Sequence, residues 1–343
     1  MVPGSMQILP RFCSVSIVVP AFNAAGRIGC CLKALCAEAK PWNAEILVVN
    51  DGSSDNTAEI VRRYPKVRLI HQANAGPAAA RNRGAFAAKG DIVVFTDDDC
   101  VPTKGWLDAM LKPFDDPEVV AAKGVYRTKQ KELVARFVQT EYEDRYRLMA
   151  AMDSIDFIDT YSAAYRRNRF LQMNGFDPGF PLASAEDAEL SYRMSTRGWK
   201  MKFAPDAAVY HSHPTTLSQY CRKKYKFACW RVLALRRNPQ KALKDSHTPQ
   251  LMKLQLLFLP MLLVAGLIDF AERWPLTVSA IVFAAFLLST LPFVLRALKK
   301  DLRVALAAPV LLAARSCAQL LGVIAGSAYS HDKPIKVATK SAA

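Results

Sequence analysis

The chain has 343 residues, 51% of them hydrophobic, and a formal net charge of +16. That apolar share excludes a disordered chain, and the length suits one large domain or two ordinary ones. The basic balance is compatible with nucleic acid, anionic lipid or a phosphate-bearing substrate, and only the placement of the charge separates these.

In chain order, the opening Met-Val-Pro-Gly-Ser before Met6 reads as a cloning remnant, and the N-terminus lacks the apolar core of a secretory signal. Residues 1–13 are therefore set apart from the fold. Residues 14–19 form a short β-branched run that predicts a buried strand stopped by Pro20. A helical pattern follows from about Ala25 to Ala39, then a strand at Glu45–Val49 running into Asn50-Asp51-Gly52-Ser53. Asp55-Asn56-Thr57 predicts a helix cap. A strand at Val67–His71, a Gly-containing segment Asn74–Gly84 leading into a helix, and a strand at Asp91–Phe95 ending in Thr96-Asp97-Asp98-Asp99 complete the series. Strand and helix alternating at this spacing predict an α/β domain with a parallel sheet covered on both faces. Ligands in such sheets bind beyond the carboxyl ends of the strands, and the polar clusters at 20–23, 50–57 and 97–99 all fall there.

Further on, residues 130–150 predict a charged amphipathic helix, residues 156–165 resume apolar character, and Met201–His211 reads as another strand. Residues 222–244 hold nine Lys or Arg and no Asp or Glu, just ahead of the first long apolar stretch. A basic run beside a membrane segment marks the cytoplasmic side and touches anionic headgroups, so anionic membrane lipid is the expected partner and nucleic acid is not. Residues 274–295 are uncharged and long enough to span a bilayer. Residues 254–268 are short, and span only if Lys253 snorkels and Asp269 lies at the far interface. Residues 304–330 carry Arg315 mid-segment, so they either span with Arg315 facing protein or lie along the interface. The basic loop at Arg296–Arg303 should be cytoplasmic. Eight cysteines without a Cys-x-x-Cys pair or zinc spacing predict reduced thiols in a cytosolic domain.

Three adjacent carboxylates, Asp97-Asp98-Asp99, repel one another at a strand end, and a divalent cation relieves that repulsion. An acidic turn open to solvent is the alternative. Asp51 could accept hydrogen bonds from a nucleobase or ribose, or merely shape a turn before a helix. Arg81 could stack on a base or neutralise phosphate. Glu186-Asp187 could serve chemistry, or simply complement a helix macrodipole. His211 and His213 close a strand, and a His near carboxylates suits a metal.

Val15–Asn23, Asn50–Thr57, Asn74–Gly84, Asp97–Asp99 and Glu186-Asp187 occur in the order of the glycosyltransferase family 2 catalytic domain, which has the Rossmann-like GT-A fold, and the chain resembles that family over residues 14–230. The resemblance implies an inverting transferase that uses Mn²⁺ or Mg²⁺ and a nucleotide-sugar donor, UDP-linked by expectation, with a lipid-linked or membrane-proximal saccharide acceptor. It implies that Pro20, Phe22, Asn23, Asp51, Arg81, Asp97 and Asp98 bind the nucleotide-sugar, that Asp97, Asp99 and His211 hold the metal, and that Asp187 is the catalytic base. Glu186, Gln219, Arg222 and Lys223 are expected at the acceptor or diphosphate, with plain membrane-surface charge as the alternative for the last three. Processive members carry Gln-x-x-Arg-Trp, whereas this chain reads Gln219-Tyr220-Cys221-Arg222-Lys223. That departure favours addition of a single sugar, with a polymerising synthase and a non-catalytic nucleotide-sugar-binding scaffold as alternatives. A basic linker at 231–250, two or three membrane helices at 251–330 and a tail at 331–343 complete the expected organisation, anchored in the inner membrane with the catalytic domain facing the cytoplasm.

Overall fold

The computed structural model describes residues 14–180, 185–241, 245–273 and 275–328. The expected terminal segments, 1–13 and 331–343, lie outside the described residues. The chain divides into two compact units. One holds residues up to Tyr126 together with Asp153–Pro178 and Arg193–Tyr210; the other holds Arg127–Met152, Gly179–Tyr192 and the chain from His211 onward.

In chain order the elements are β1 (Val15–Ala21), α1 (Ile28–Ala39), β2 (Glu45–Asp51), α2 (Thr57–Arg62), β3 (Val67–Gln72), α3 (Pro77–Ala87), β4 (Ile92–Thr96), β5 (Val101–Pro102), α4 (Trp106–Leu111), β6 (Val119–Arg127) and α5 (Leu133–Ala150). They continue with β7 (Ser162–Arg166), α6 (Arg167–Gln172), α7 (Glu186–Thr196), β8 (Lys200–Tyr210), α8 (Leu217–Arg237), α9 (Gln250–Ala271), α10 (Thr277–Leu298) and α11 (Leu302–Ser327).

The sheet is eight-stranded, in the order β3-β2-β1-β4-β7-β6-β8-β5. Its first half is parallel, as the alternating strands and helices predict: Val19 pairs with Val48, Val48 with Leu69, and Val18 with Phe95. β1 and β4 are buried along their whole length, whereas the edge strand β3 is only partly covered. The other half departs from the expected all-parallel sheet. β7 runs antiparallel to β4 and to β6, and β5 antiparallel to β8. β6 was hidden because Lys123-Gly124 interrupts its apolar run, and β7 because Ser-Ala-Ala-Tyr-Arg lacks β-branched residues. Lys123 is tolerated inside because its ammonium pairs with Asp159 and donates to the Tyr161 hydroxyl at 3.2 Å. Pro20 does not stop β1. It stays in register opposite Val49, and the strand runs on to Ala21. Phe95 on β4 anchors an aromatic core with Tyr165, Phe170 and Phe176, at centroid separations of 5.9, 5.3 and 5.5 Å.

In the second unit, α9, α10 and α11 are each long and apolar enough to cross a membrane. The α9–α10 connection is tied by Asp269, whose carboxylate accepts the Val278 and Ser279 N–H groups at 2.9 Å and so caps α10 across the hairpin. Glu141 of α5 meets Lys224 of α8 and Arg315 of α11, both at 2.9 Å, joining the polar helices to the apolar ones.

Candidate functional site

The carboxyl ends of β1, β2 and β4 lie side by side, so the three polar clusters of the sequence converge at one edge of the sheet. After β1, Asn23 takes a left-handed conformation (φ 47°) and its side-chain oxygen accepts the Ser54 N–H at 2.9 Å, while its own N–H donates to Ser53 Oγ at 3.0 Å. Phe22 beside it is 46% exposed, an apolar ring offered to solvent at the rim, whereas Pro20 is buried in the strand. After β2, Gly52 (φ 75°) turns the chain close to Asn74, where an added Cβ would meet the Asn74 nitrogen at 2.8 Å. The buried Asp51 accepts Gln72 Nε2 at 2.7 Å, Ala75 N at 2.8 Å and Gly76 N at 2.9 Å, and so fixes the approach to α3.

The three aspartates after β4 have three different environments. Asp97 is gripped by the buried Arg81 of α3 at 2.7 Å, and Arg81 also lies over the Phe176 ring. Asp98 turns inward onto Arg27, with hydrogen bonds of 2.6 and 3.2 Å, while Arg27 donates to the Asn23 and Phe22 carbonyls at 3.2 and 3.3 Å. Burial pushes the Asp98 carboxyl above its usual range, and Arg27 draws it back only in part. Asp99 is exposed. Tyr210 pairs with Val101, two residues past Asp99, and His211 is the next residue along the chain. Arg27 is a component the sequence did not reveal: four residues beyond Asn23 in a turn, it carries no motif.

In the second unit, Glu186 and Asp187 open α7. Glu186 is buried and accepts the Ala185 N–H at 3.1 Å, while the half-buried Asp187 accepts the Ala188 N–H at 2.7 Å. Arg231 of α8, read from sequence only as membrane-surface charge, donates to the Tyr192 hydroxyl at 2.6 Å and to Asp245 at 2.9 Å. Burial works against its charge, but Tyr192, Asp245 and Asp187 hold its guanidinium above the usual arginine range. Thr216 Oγ1 accepts the Gln219 N–H at 3.3 Å and so caps the start of α8, while the Gln219 side chain reaches back to accept the N–H of Thr215, the residue before the cap, at 3.1 Å. Thr-x-x-Gln was the signal for it. Arg222 is exposed, and Lys223 lies over the Phe227 ring.

Residues 16–172 match the family model described as Glycosyl transferase family 2. The chain is 28% identical over 224 residues to the pre-mycofactocin glycosyltransferase of Mycobacterium tuberculosis, covering 63% of this chain and 46% of the relative. It is 29% identical over 213 residues to glycosyltransferase AglE of Haloferax volcanii, covering 57% and 66%. The chain thus spans less than two thirds of either relative. Among solved structures it resembles the mannosyltransferase PcManGT from Pyrobaculum calidifontis, in complex with GDP-Man and Mn²⁺, with a TM-score of 0.56 at 22% identity over 93% of this chain and 91% of that one. The shared fold is the Rossmann-like GT-A sheet.

Proposed function

We propose that the chain, whose residues 16–172 match the glycosyl transferase family 2 model, is an inverting glycosyltransferase that moves a single sugar from a nucleotide-sugar to a lipid-linked or membrane-proximal saccharide acceptor. The observation that carries the reading is the arrangement at the carboxyl end of β4: Asp97 is held by a buried Arg81, and Asp99 beside it is exposed.

Carboxylate oxygens suit Mg²⁺ or Mn²⁺, and the donor set of Asp97, Asp99 and His211 fits such an ion. A divalent cation there would offset the negative charge that builds on the departing diphosphate. Phe22, Asn23 and Asp51 frame the nucleotide end of the cleft. Arg81 keeps Asp97 oriented and adds positive charge where phosphates arrive. The Asp187 carboxylate takes the proton of the acceptor hydroxyl as that oxygen bonds to the anomeric carbon and the bond to the diphosphate oxygen breaks. One displacement at that carbon inverts it. Glu186 shapes the first turn of α7, and Arg222 and Lys223 offer positive charge to an acceptor phosphate or to headgroups. Lys223 in place of the tryptophan of polymerising members supports single addition.

The working organisation is a catalytic region at 14–230, a basic linker at 231–250 and a membrane anchor from 251, with the catalytic region on the cytoplasmic side of the inner membrane. The test is thermal unfolding of the purified chain in detergent with Mn²⁺ and a panel of UDP-, GDP- and dTDP-sugars. One donor class should raise the midpoint in a metal-dependent way, since a ligand that binds only the folded state stabilises it. If no nucleotide-sugar shifts the midpoint with either Mn²⁺ or Mg²⁺, the reading fails.

A further inference from the structure

By length and composition α11 matches a third membrane span, but its polar side is fastened to helices that cannot enter hydrocarbon. At its start, Asp301 pairs with Arg136 of α5. In its middle, Arg315 donates to Glu141 of α5 at 2.9 Å, and the Ala314 carbonyl faces Cys221 of α8. In its last turns, Gly322 and Gly326 present bare backbone to the carbonyls of Tyr225 and Cys229, where an added Cβ would collide, and Arg236 donates to the Ser327 carbonyl. The attachment to α5 and α8 runs from one end of the helix to the other.

Charge decides what this means for the membrane. α8 carries seven Lys or Arg and no acidic residue, and α5 carries Arg136, Glu141, Glu143, Asp144, Arg145 and Arg147. A charge held at the centre of a bilayer is costly even on the mildest scale. A perpendicular α11 would draw the basic α8 in with it, because the two backbones are in contact over their shared length. Depth agrees. Arg315 also bonds Gln255, which lies five residues into α9, and Gln255 donates to the Ser289 carbonyl, nine residues from the end of α10. At 1.5 Å per residue those positions lie about 8 and about 14 Å into their helices, whereas Arg315 on a perpendicular α11 would lie about 20 Å down.

α11 also packs against α10 and α9, and the stripe it leaves uncovered is apolar. Leu302, Leu306, Val310, Leu321 and Ile324 are all more than half exposed and recur at helical spacing on one stripe. Of the apolar window of α11, 44% is buried, against 17% for α9 and 11% for α10, so α11 has one lipid-facing side while the other two are exposed nearly all round.

We propose that α11 is an in-plane helix that docks on a single lipid leaflet, and that only the α9–α10 hairpin crosses the bilayer. Its leucine and valine stripe sinks into the acyl boundary, the basic α8 faces anionic headgroups, and Ala328 at its end stays on the side that holds α5 and α8. Arg315 then sits at the interface with its carboxylate partner. This inference is independent of the reaction.

The test is labelling of the full chain in sealed vesicles of known orientation with a membrane-impermeant maleimide, with labelled peptides located by mass spectrometry. Lys226→Cys on α8 and Ala328→Cys at the end of α11 should react from the same side, and Arg273→Cys in the α9–α10 turn from the other. Reaction of Ala328→Cys together with Arg273→Cys overturns the proposal. Should a substitution disturb insertion, topology reporters fused to either end of the unaltered chain give a second reading. Both ends are expected on one side, and opposite sides overturn the proposal.

Discussion

Arg81, buried on α3, donates to the Asp97 carboxylate at 2.7 Å, so the helix that follows β3 braces the carboxylate that ends β4. Arg81 is 3% exposed at its side chain and Asp97 28%, which puts the cation inside and leaves part of the anion open to solvent. Arg81→Gln removes the charge that offsets this carboxylate. In chelator the variant should lose about 1–3 kcal/mol of stability, the cost of stripping a partner from a partly buried charged group. Mn²⁺ should then raise its unfolding midpoint more than it raises that of the wild type, because the ion replaces the missing neutralisation. Equal midpoints in chelator would mean that the pair contributes nothing.

Asp98 and Asp99 are adjacent yet should respond in opposite ways. Asp98→Ala leaves Arg27 without its bidentate partner and loosens its hold on the Phe22 and Asn23 carbonyls, so stability should fall by about 1–2 kcal/mol. Asp99→Ala, at an exposed position, should stay within about 0.5 kcal/mol of wild type and lose Mn²⁺-dependent stabilisation instead. Chemical unfolding with and without metal separates the two. The reverse pattern would exchange their roles.

Asp187→Asn keeps the shape of the α7 start and removes the proton acceptor. Turnover should fall by several orders of magnitude while donor affinity, read by thermal shift, stays near that of the wild type. A variant with near-normal turnover would remove Asp187 as the base.

Gly322→Ala sets two effects against each other. Alanine gains about 1 kcal/mol of helix propensity over glycine. The added Cβ, however, would run into the Tyr225 carbonyl and the Ala228 side chain, and backbone cannot yield cheaply. Overpacking of this kind costs about 1–3 kcal/mol, so the variant should unfold earlier in detergent. A stabilised variant would show that α8 and α11 are packed less closely.

Lys224 pairs with Glu141 at 2.9 Å, but burial, with Arg145 and Arg315 nearby, pushes its ammonium down to about 8. An unfolded lysine titrates near about 10.4, so between these values the unfolded chain holds more protons and stability rises with pH. Burial alone would raise Glu141, yet Lys224, Arg315 and Arg145 outweigh it and hold the carboxyl at about 2. Its contribution is complete above about 4.3 and fades as pH falls toward 2. Thermal unfolding from pH 7.5 to 10 should show wild type gaining on Lys224→Met. Parallel curves would mean that Lys224 titrates as an ordinary lysine.

The α/β class, the parallel half of the sheet, the polar strand ends and the apolar C-terminal segments were all legible in the amino-acid sequence. Each is a local signal: an apolar run, a turn residue after it, a length to compare with a bilayer. The antiparallel half was not, because β6 and β7 are stabilised by partners distant in sequence, such as Lys123 with Asp159 and Trp106 Nε1 donating to Ser162 Oγ at 2.9 Å. Sequence placed three aspartates at a strand end, but only the tertiary structure sorted them into one braced by Arg81, one turned onto Arg27 and one exposed. It likewise left Gln219 as a possible phosphate contact until the fold revealed a helix cap. Composition decides how much a segment favours lipid, water or metal. Which of those a given side chain meets depends on contacts made across tens or hundreds of residues, and Arg315 beside Glu141, 174 positions away, is such a contact.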